Sequence, residues 1–248
     1  MLLENKNAIV YGAAGSIGGA VARAFARDGA RVFLAGRTVA TLEEVAADIR
    51  AHGGTAEVGQ VDALDKDSVD AHAASVAAAA GSIDVSFNAV EVGNVQGVPL
   101  TEISVEDFLS PLTRLCRTNF LTATAAARHM QERGSGVIIT LTASSVKETR
   151  HEMGGFSLAN AGVEALTRGL AGEIGRRGVR VVGLRANFTP ETYPGVTVDN
   201  LAPLLRDTLL GRLPLLSELA ATAVYLASDG AGAITGAMVN LTCGAIID

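Results

Sequence analysis

Residues 136–162 read GVIITLTASSVKETRHEMGGFSLANAG. The run Val137-Ile138-Ile139-Thr140-Leu141 is short, apolar and β-branched, which predicts a strand buried on both faces of a parallel sheet. A polar loop follows, and a helix is predicted from about Gly155. Leu158, Gly162, Leu166, Leu170 and Ile174 recur every four residues and predict its packing face. Phe156 and Asn160 are also four apart, so they share a different face, one turn from each other.

Outward from this unit the same alternation repeats. Strands are predicted at 8–11, 31–35, 57–61, 83–87 and 179–184, with a turn and final strand over 233–241, and helices at about 16–28, 40–52, 65–80, 104–133 and 217–229. Ser104 opens the long helix with a capping-box-like SVED. Strands alternating with helices predict one α/β domain, a doubly wound parallel sheet with helices on both faces and its ligand at the carboxyl ends of the strands.

The first strand runs into Gly12-Ala13-Ala14-Gly15-Ser16-Ile17-Gly18-Gly19. A glycine turn between strand and helix lets the backbone approach a pyrophosphate, which the helix N–H groups and dipole then hold. Gly12, Gly15, Ser16, Ile17 and Gly18 are therefore candidate cofactor residues, although tight helix–strand packing also selects glycine. An acid at the end of the second strand would bind a ribose 2′-hydroxyl and mark NAD. Gly36 stands there, followed by Arg37, whose guanidinium suits a 2′-phosphate. NADP(H) is expected over NAD(H); the plainer reading makes Arg37 a surface cation.

On these residues the chain resembles the short-chain dehydrogenase/reductase family over most of its length, from Ala8 to Gly244. The family fingerprint Thr-Gly-x-x-x-Gly-x-Gly falls on Tyr11, Gly12, Ser16 and Gly18. The resemblance implies that Asp62 caps the adenine and that Asn88 and Ala89 stand for the first half of an Asn-Asn-Ala-Gly segment, with Glu91 in place of its glycine. Asn119 matches the asparagine that holds a water in the proton relay, although a structural role is an equal reading. Thr189 or Thr192 would bond the nicotinamide carboxamide, and residues 188–216 would form the substrate lid. The family's Ser and its Tyr-x-x-x-Lys fall on Ala143, Phe156 and Asn160. In the family the Tyr hydroxyl moves the proton, the Lys ammonium lowers its pKa and the Ser orients the oxygen. None of the three groups is present, and a positioned general acid is worth ~10²–10⁴-fold in rate. Ser144 or Ser145 could serve as the Ser through a shifted loop. Ser144, Lys147, His151 and Glu152 are candidate replacement groups, His151 first among them. The family also implies a homodimer or homotetramer through the helices that carry Asn119 and Phe156.

The chain has 248 residues, 48% hydrophobic, with a net charge of −6. The acidic balance argues against nucleic acid or an anionic membrane as partner. Cys116 and Cys243 are far apart and match no metal-ligand spacing, so no metal site and a reduced, cytoplasmic setting are expected. The four histidines are scattered and are expected on surface helices or loops. Phe156 predicts a pocket more apolar than usual, and so an apolar small-molecule substrate. Three readings follow: an NADP(H)-dependent oxidoreductase acting on a carbonyl or hydroxyl with an atypical proton donor; an NADP(H)-binding protein without ordinary redox activity, such as a lyase, isomerase or regulatory subunit; and a cofactor-free scaffold.

Overall fold

The computed structural model describes residues 1–147, 151–193, 195–196 and 198–247. Seven strands form one parallel sheet in the order β3-β2-β1-β4-β5-β6-β7. They are β1 (Asn7–Tyr11), β2 (Arg31–Gly36), β3 (Thr55–Gln60), β4 (Val85–Asn88), β5 (Gly136–Ala143), β6 (Val179–Ala186) and β7 (Met238–Leu241). The helices are α1 (Ser16–Arg27), α2 (Val39–Ala51), α3 (Lys66–Ala80), α4 (Val105–Arg133), α5 (Gly155–Ile174), α6 (Val198–Arg206) and α7 (Leu216–Ala227). Strand order reverses between β1 and β4, and such a switch point opens a crevice at the carboxyl edge of the sheet.

Two apolar layers sandwich the sheet. One joins α1, α2 and α7 through Val21, Phe25, Leu42 and Leu219. The other joins α3, α4 and α5 through Val69, Leu121, Ala126 and Ile174. Val137, Ile138 and Ile139 are all buried, as a strand covered on both faces requires. Predicted elements fall in place with shifted ends. β4 starts at Val85 rather than 83, and within the turn and final strand expected over 233–241 the strand is Met238–Leu241, because Gly236 adopts φ +67° and Thr235 is spent on β6, where its Oγ1 accepts from Val181 N at 3.1 Å. Ser104 caps α4, its Oγ accepting from Asp107 N at 3.0 Å.

The predicted packing face of α5 needs correction. Leu170 and Ile174 are buried, but Leu158 is 43% exposed. Ala159, Val163, Thr167 and Asn160 take the inner side instead. Two glycines set this rotation by letting α5 lie close on α4. A Cβ on Gly155 would stand 1.7 Å from Phe108 O, and one on Gly162 would stand 2.7 Å from Cys116 Sγ.

Candidate active site and dinucleotide cleft

A cleft of 340 Å³ opens at the carboxyl ends of β1 to β4. Gly12 and Gly15 line it after β1, Arg37 after β2, Asp62 after β3, Ala89 and Glu91 after β4, and Arg114 and Thr118 from α4. The glycines have distinct duties. Gly12 turns at φ +75°, and a Cβ there would meet Ala89 O at 2.6 Å. A Cβ on Gly18 would lie 2.2 Å from Gly12 O, so Gly18 serves helix–strand packing. A Cβ on Gly15 would meet only Gly12 O at 3.4 Å, so its bare side faces the cleft. Gly15 is also the N-cap of α1, with no side-chain cap and no acid in the first turn. The N–H groups at the start of α1, around Ser16 and Ile17, thus have no side chain competing for them, and the helix dipole adds partial positive charge.

Arg37 is exposed at the rim, and among the described residues its side chain has no hydrogen-bond or ion-pair partner; only its carbonyl is engaged, by Gln60 Nε2 at 3.1 Å. Asp62 accepts from Leu64 N at 2.9 Å through one oxygen, which leaves acceptor capacity on the carboxylate. Asn88 is buried and ties β4 to α4: its Nδ2 donates to Thr122 Oγ1 at 2.8 Å, and its Oδ1 accepts from Val90 N at 2.9 Å. Glu91 is exposed and lines the cleft. An uncapped helix start, a bare glycine wall and an Arg37 side chain without a partner among the described residues fit an anionic dinucleotide.

The positions where the resemblance leads one to expect catalytic groups behave differently. Asn160 is 2% exposed. Its Oδ1 accepts from Ala143 N at 3.0 Å and its Nδ2 donates to Phe156 O at 2.8 Å. One side chain therefore links the three positions where the resemblance leads one to expect Ser, Tyr and Lys, and it ties the end of β5 to the first turn of α5. Phe156 is half-buried and does not line the cleft. Ser144 Oγ donates to Asn187 Oδ1 at 2.9 Å, and that oxygen also accepts from Phe188 N at 2.8 Å. Ser145 is buried with its Oγ unpartnered.

Asn119 is buried; its Nδ2 donates to Leu115 O at 3.0 Å and its Oδ1 has no partner. The orphan oxygen retains an acceptor of the kind a relay water needs, although Asn160 offers no proton at the far end. Thr189 is 3% exposed and its Oγ1 donates to Asn187 O at 3.2 Å, while Thr192 Oγ1 donates to Thr189 O at 2.8 Å. His151 is half-buried, with Nε2 3.4 Å from Asp207 Oδ2. Lys147 also has a partner. Residues 148–150, part of the loop that supplies the replacement candidates, lie outside the described residues.

Four features escaped the sequence reading. Arg185 is buried and forks onto the buried Glu164, with Nε to Oε1 at 2.8 Å and a second bond of 3.1 Å. Glu164 lies one helical turn beyond Asn160, and that spacing was legible. Arg114 enters the cleft from α4, four residues before Thr118 on the same face. Tyr193 stacks on Phe188 at 4.6 Å, and burial raises its pKa, with the Glu91 charge adding to the rise. His72, expected at the surface, packs edge-on against Tyr11 at 5.9 Å with Nδ1 buried and unpartnered, and burial pushes its pKa down to about 4. Tyr11 itself is 1% exposed with an unpartnered hydroxyl; burial, then the Asp70 charge, raise its pKa. Among the described residues no group of three or more His, Cys, Asp or Glu stands in a metal-binding arrangement.

Known proteins carry the same frame. A family model described as Enoyl-(Acyl carrier protein) reductase matches residues 12–245. An oxidoreductase of Bacillus subtilis, YxbG, is 33% identical over 247 residues, covering 94% of this chain and 88% of its own. D-threitol dehydrogenase of Mycolicibacterium smegmatis is 32% identical over 240 residues, covering 95% and 90%. A gluconate 5-dehydrogenase from Burkholderia cenocepacia, solved in complex with NADP and tartrate, superposes with a TM-score of 0.89 at 25% identity, covering 98% of this chain and 96% of that one. With the sheet order, the glycine turn and these matches together, the chain belongs to the short-chain dehydrogenase/reductase family of oxidoreductases.

Proposed function

We propose that this chain binds NADP(H) and lacks the tyrosine–lysine route of carbonyl reduction used in its family. The observation that carries this reading is Asn160, whose two amide atoms are both spent on backbone groups, Ala143 N and Phe156 O. A side chain so engaged carries no charge to lower a neighbour's pKa, and the neighbour is a phenyl ring without a proton. A bound nicotinamide would supply hydride chemistry, and Gly15, the N–H groups at the start of α1, Asp62 and Arg37 would hold the dinucleotide. Unpaired Arg37 and the absence of an acid at the end of β2 support NADP(H) over NAD(H). The substrate would be a small molecule. Exposed Phe120 on α4, at 53%, and Leu158 on α5, at 43%, support self-association through these helices into a homodimer or homotetramer. Among the described residues no helix is long and apolar enough to cross a membrane.

A second reading, an oxidoreductase with a different proton donor, is favoured by the dehydrogenase relatives and by the His151–Asp207 pair. One experiment separates the two. NADPH, NADP⁺, NADH and NAD⁺ are titrated by nicotinamide fluorescence and thermal shift, and NADPH oxidation is then followed against a panel of carbonyl compounds. Saturable binding that prefers NADPH, weakens in Arg37→Ala and gives no carbonyl-dependent oxidation is the expected result. Rapid reduction by the natural protein overturns it, and loss of that rate in His151→Ala would assign the donor. No binding of any dinucleotide would leave only the scaffold reading.

A further inference from the structure

Arg114 is the one described arginine in the cleft for which the sequence reading gives no task. It is half-buried, and its guanidinium has no hydrogen-bond or ion-pair partner among the described residues. Its Nε is closed off from solvent as well as unpartnered. Withdrawing a cation from water without a partner is costly, so a protein normally pairs it or lets a ligand do so. Glu91 lines the same cleft, yet no ion pair joins the two.

The surroundings of Arg114 define what such a ligand would present. Ala63 and Leu64 after β3 and Val90 after β4 add apolar lining to the same cleft. Three residues further along α4, Arg117 Nε donates to Leu64 O at 2.8 Å, which fastens the turn after β3 to this stretch of helix. Arg37 leaves the sheet after β2, whereas Arg114 reaches in from α4 beside the ends of β3 and β4. The two guanidinium groups therefore enter the cleft from different elements. Apolar walls with a planar donor at their edge suit a flat heteroaromatic ring that carries acceptor nitrogens.

We propose that Arg114 is a binding residue of the cleft, its guanidinium donating to an acceptor nitrogen of an adenine base held between the turns after β3 and β4. The inference rests on the dinucleotide reading above and adds a recognition element for the adenosine portion that is independent of the 2′-phosphate.

The test is calorimetric titration of 5′-ADP and of 2′,5′-ADP into the natural protein, Arg114→Met, Arg114→Ala, Arg114→Lys and Arg37→Ala. Loss of one charged donor is expected to weaken both ligands about tenfold in Arg114→Met and Arg114→Ala. Arg114→Lys should recover part of the loss, because it returns a charge without the planar fork. Arg37→Ala should weaken 2′,5′-ADP and leave 5′-ADP unchanged. Without ligand, Arg114→Met should melt at or above the natural temperature, since it removes an unpaired, half-buried cation. Equal affinity of Arg114→Met and the natural protein for both ligands overturns the assignment and leaves the dinucleotide reading intact. A fall in ligand-free melting temperature that accompanies the affinity loss in all three Arg114 variants also overturns it, by making the residue structural. If the natural protein binds neither nucleotide, the dinucleotide reading fails and this inference fails with it.

Discussion

Replacing Asn160 by Ala removes a clamp rather than a catalyst, and the structure sets the size of the effect. Asn160 is 2% exposed and makes two hydrogen bonds, 3.0 Å from Ala143 N and 2.8 Å to Phe156 O. Losing the first leaves the amide of Ala143 without its partner, at about 1–3 kcal/mol for a buried polar group. Losing the second forfeits about 1 kcal/mol more. The expected destabilisation is therefore about 2–4 kcal/mol, which for a domain of this size lowers the melting temperature by on the order of 10 °C. Asn160→Lys should fall by a similar amount, since an ammonium has donors only and offers Ala143 N–H nothing to bond. Denaturant unfolding with an unchanged m-value, together with calorimetry, measures both variants. If both stay within about 0.5 kcal/mol of the natural protein, the range of ordinary surface substitutions, Asn160 does not hold the loop and the case for a structural replacement of the catalytic lysine collapses.

Other perturbations give independent readings. His72 is held below its unfolded pKa of 6.5, at about 4, by burial, so its contribution to stability is complete above pH 6.5 and is lost as pH falls toward 4. The loss amounts to at most about 3 kcal/mol, and a pH series of unfolding curves should flatten across that window in His72→Phe. Glu164→Gln strips the carboxylate from buried Arg185, and half of a broken buried pair costs about 3–5 kcal/mol in urea titration. Gly18→Ala places a methyl 2.2 Å from Gly12 O, so α1 must shift; a loss of about 1–3 kcal/mol with weaker NADPH binding is expected in the same thermal-shift titration.

The sequence carried the fold because period and order are local properties. Val137-Ile138-Ile139 marks a strand covered on both faces without any knowledge of what covers it, and a strand–glycine–helix start at Gly12 to Gly18 marks where phosphate would lie. The spacing from Ala143 to Phe156 and Asn160 likewise put these residues where the resemblance expects Ser, Tyr and Lys, and the structure joins the three through Asn160. Helix rotation was less legible. A four-residue repeat beginning at Leu158 looked like the inner face of α5, yet Gly155 and Gly162 let the helix settle on α4 with Ala159, Asn160 and Val163 inward. That choice depends on what the neighbouring helix presents, and Phe108 and Cys116 lie more than 40 residues away in sequence.

By itself, then, the sequence determined an α/β chain, its glycine turn and the arginine after β2, and it put Phe156 and Asn160 where the resemblance expects a Tyr and a Lys. The tertiary structure decided which groups meet at these positions. It closed Asn160 onto Ala143 and Phe156, sank Arg185 against Glu164, buried His72 against Tyr11, and brought Arg114 into the cleft without a partner among the described residues. Each of these turns on which groups meet across elements, and so on who satisfies a donor or a charge. Periodicity reports the face on which a residue sits, whereas only the assembled layers supply the partner that fixes its chemistry.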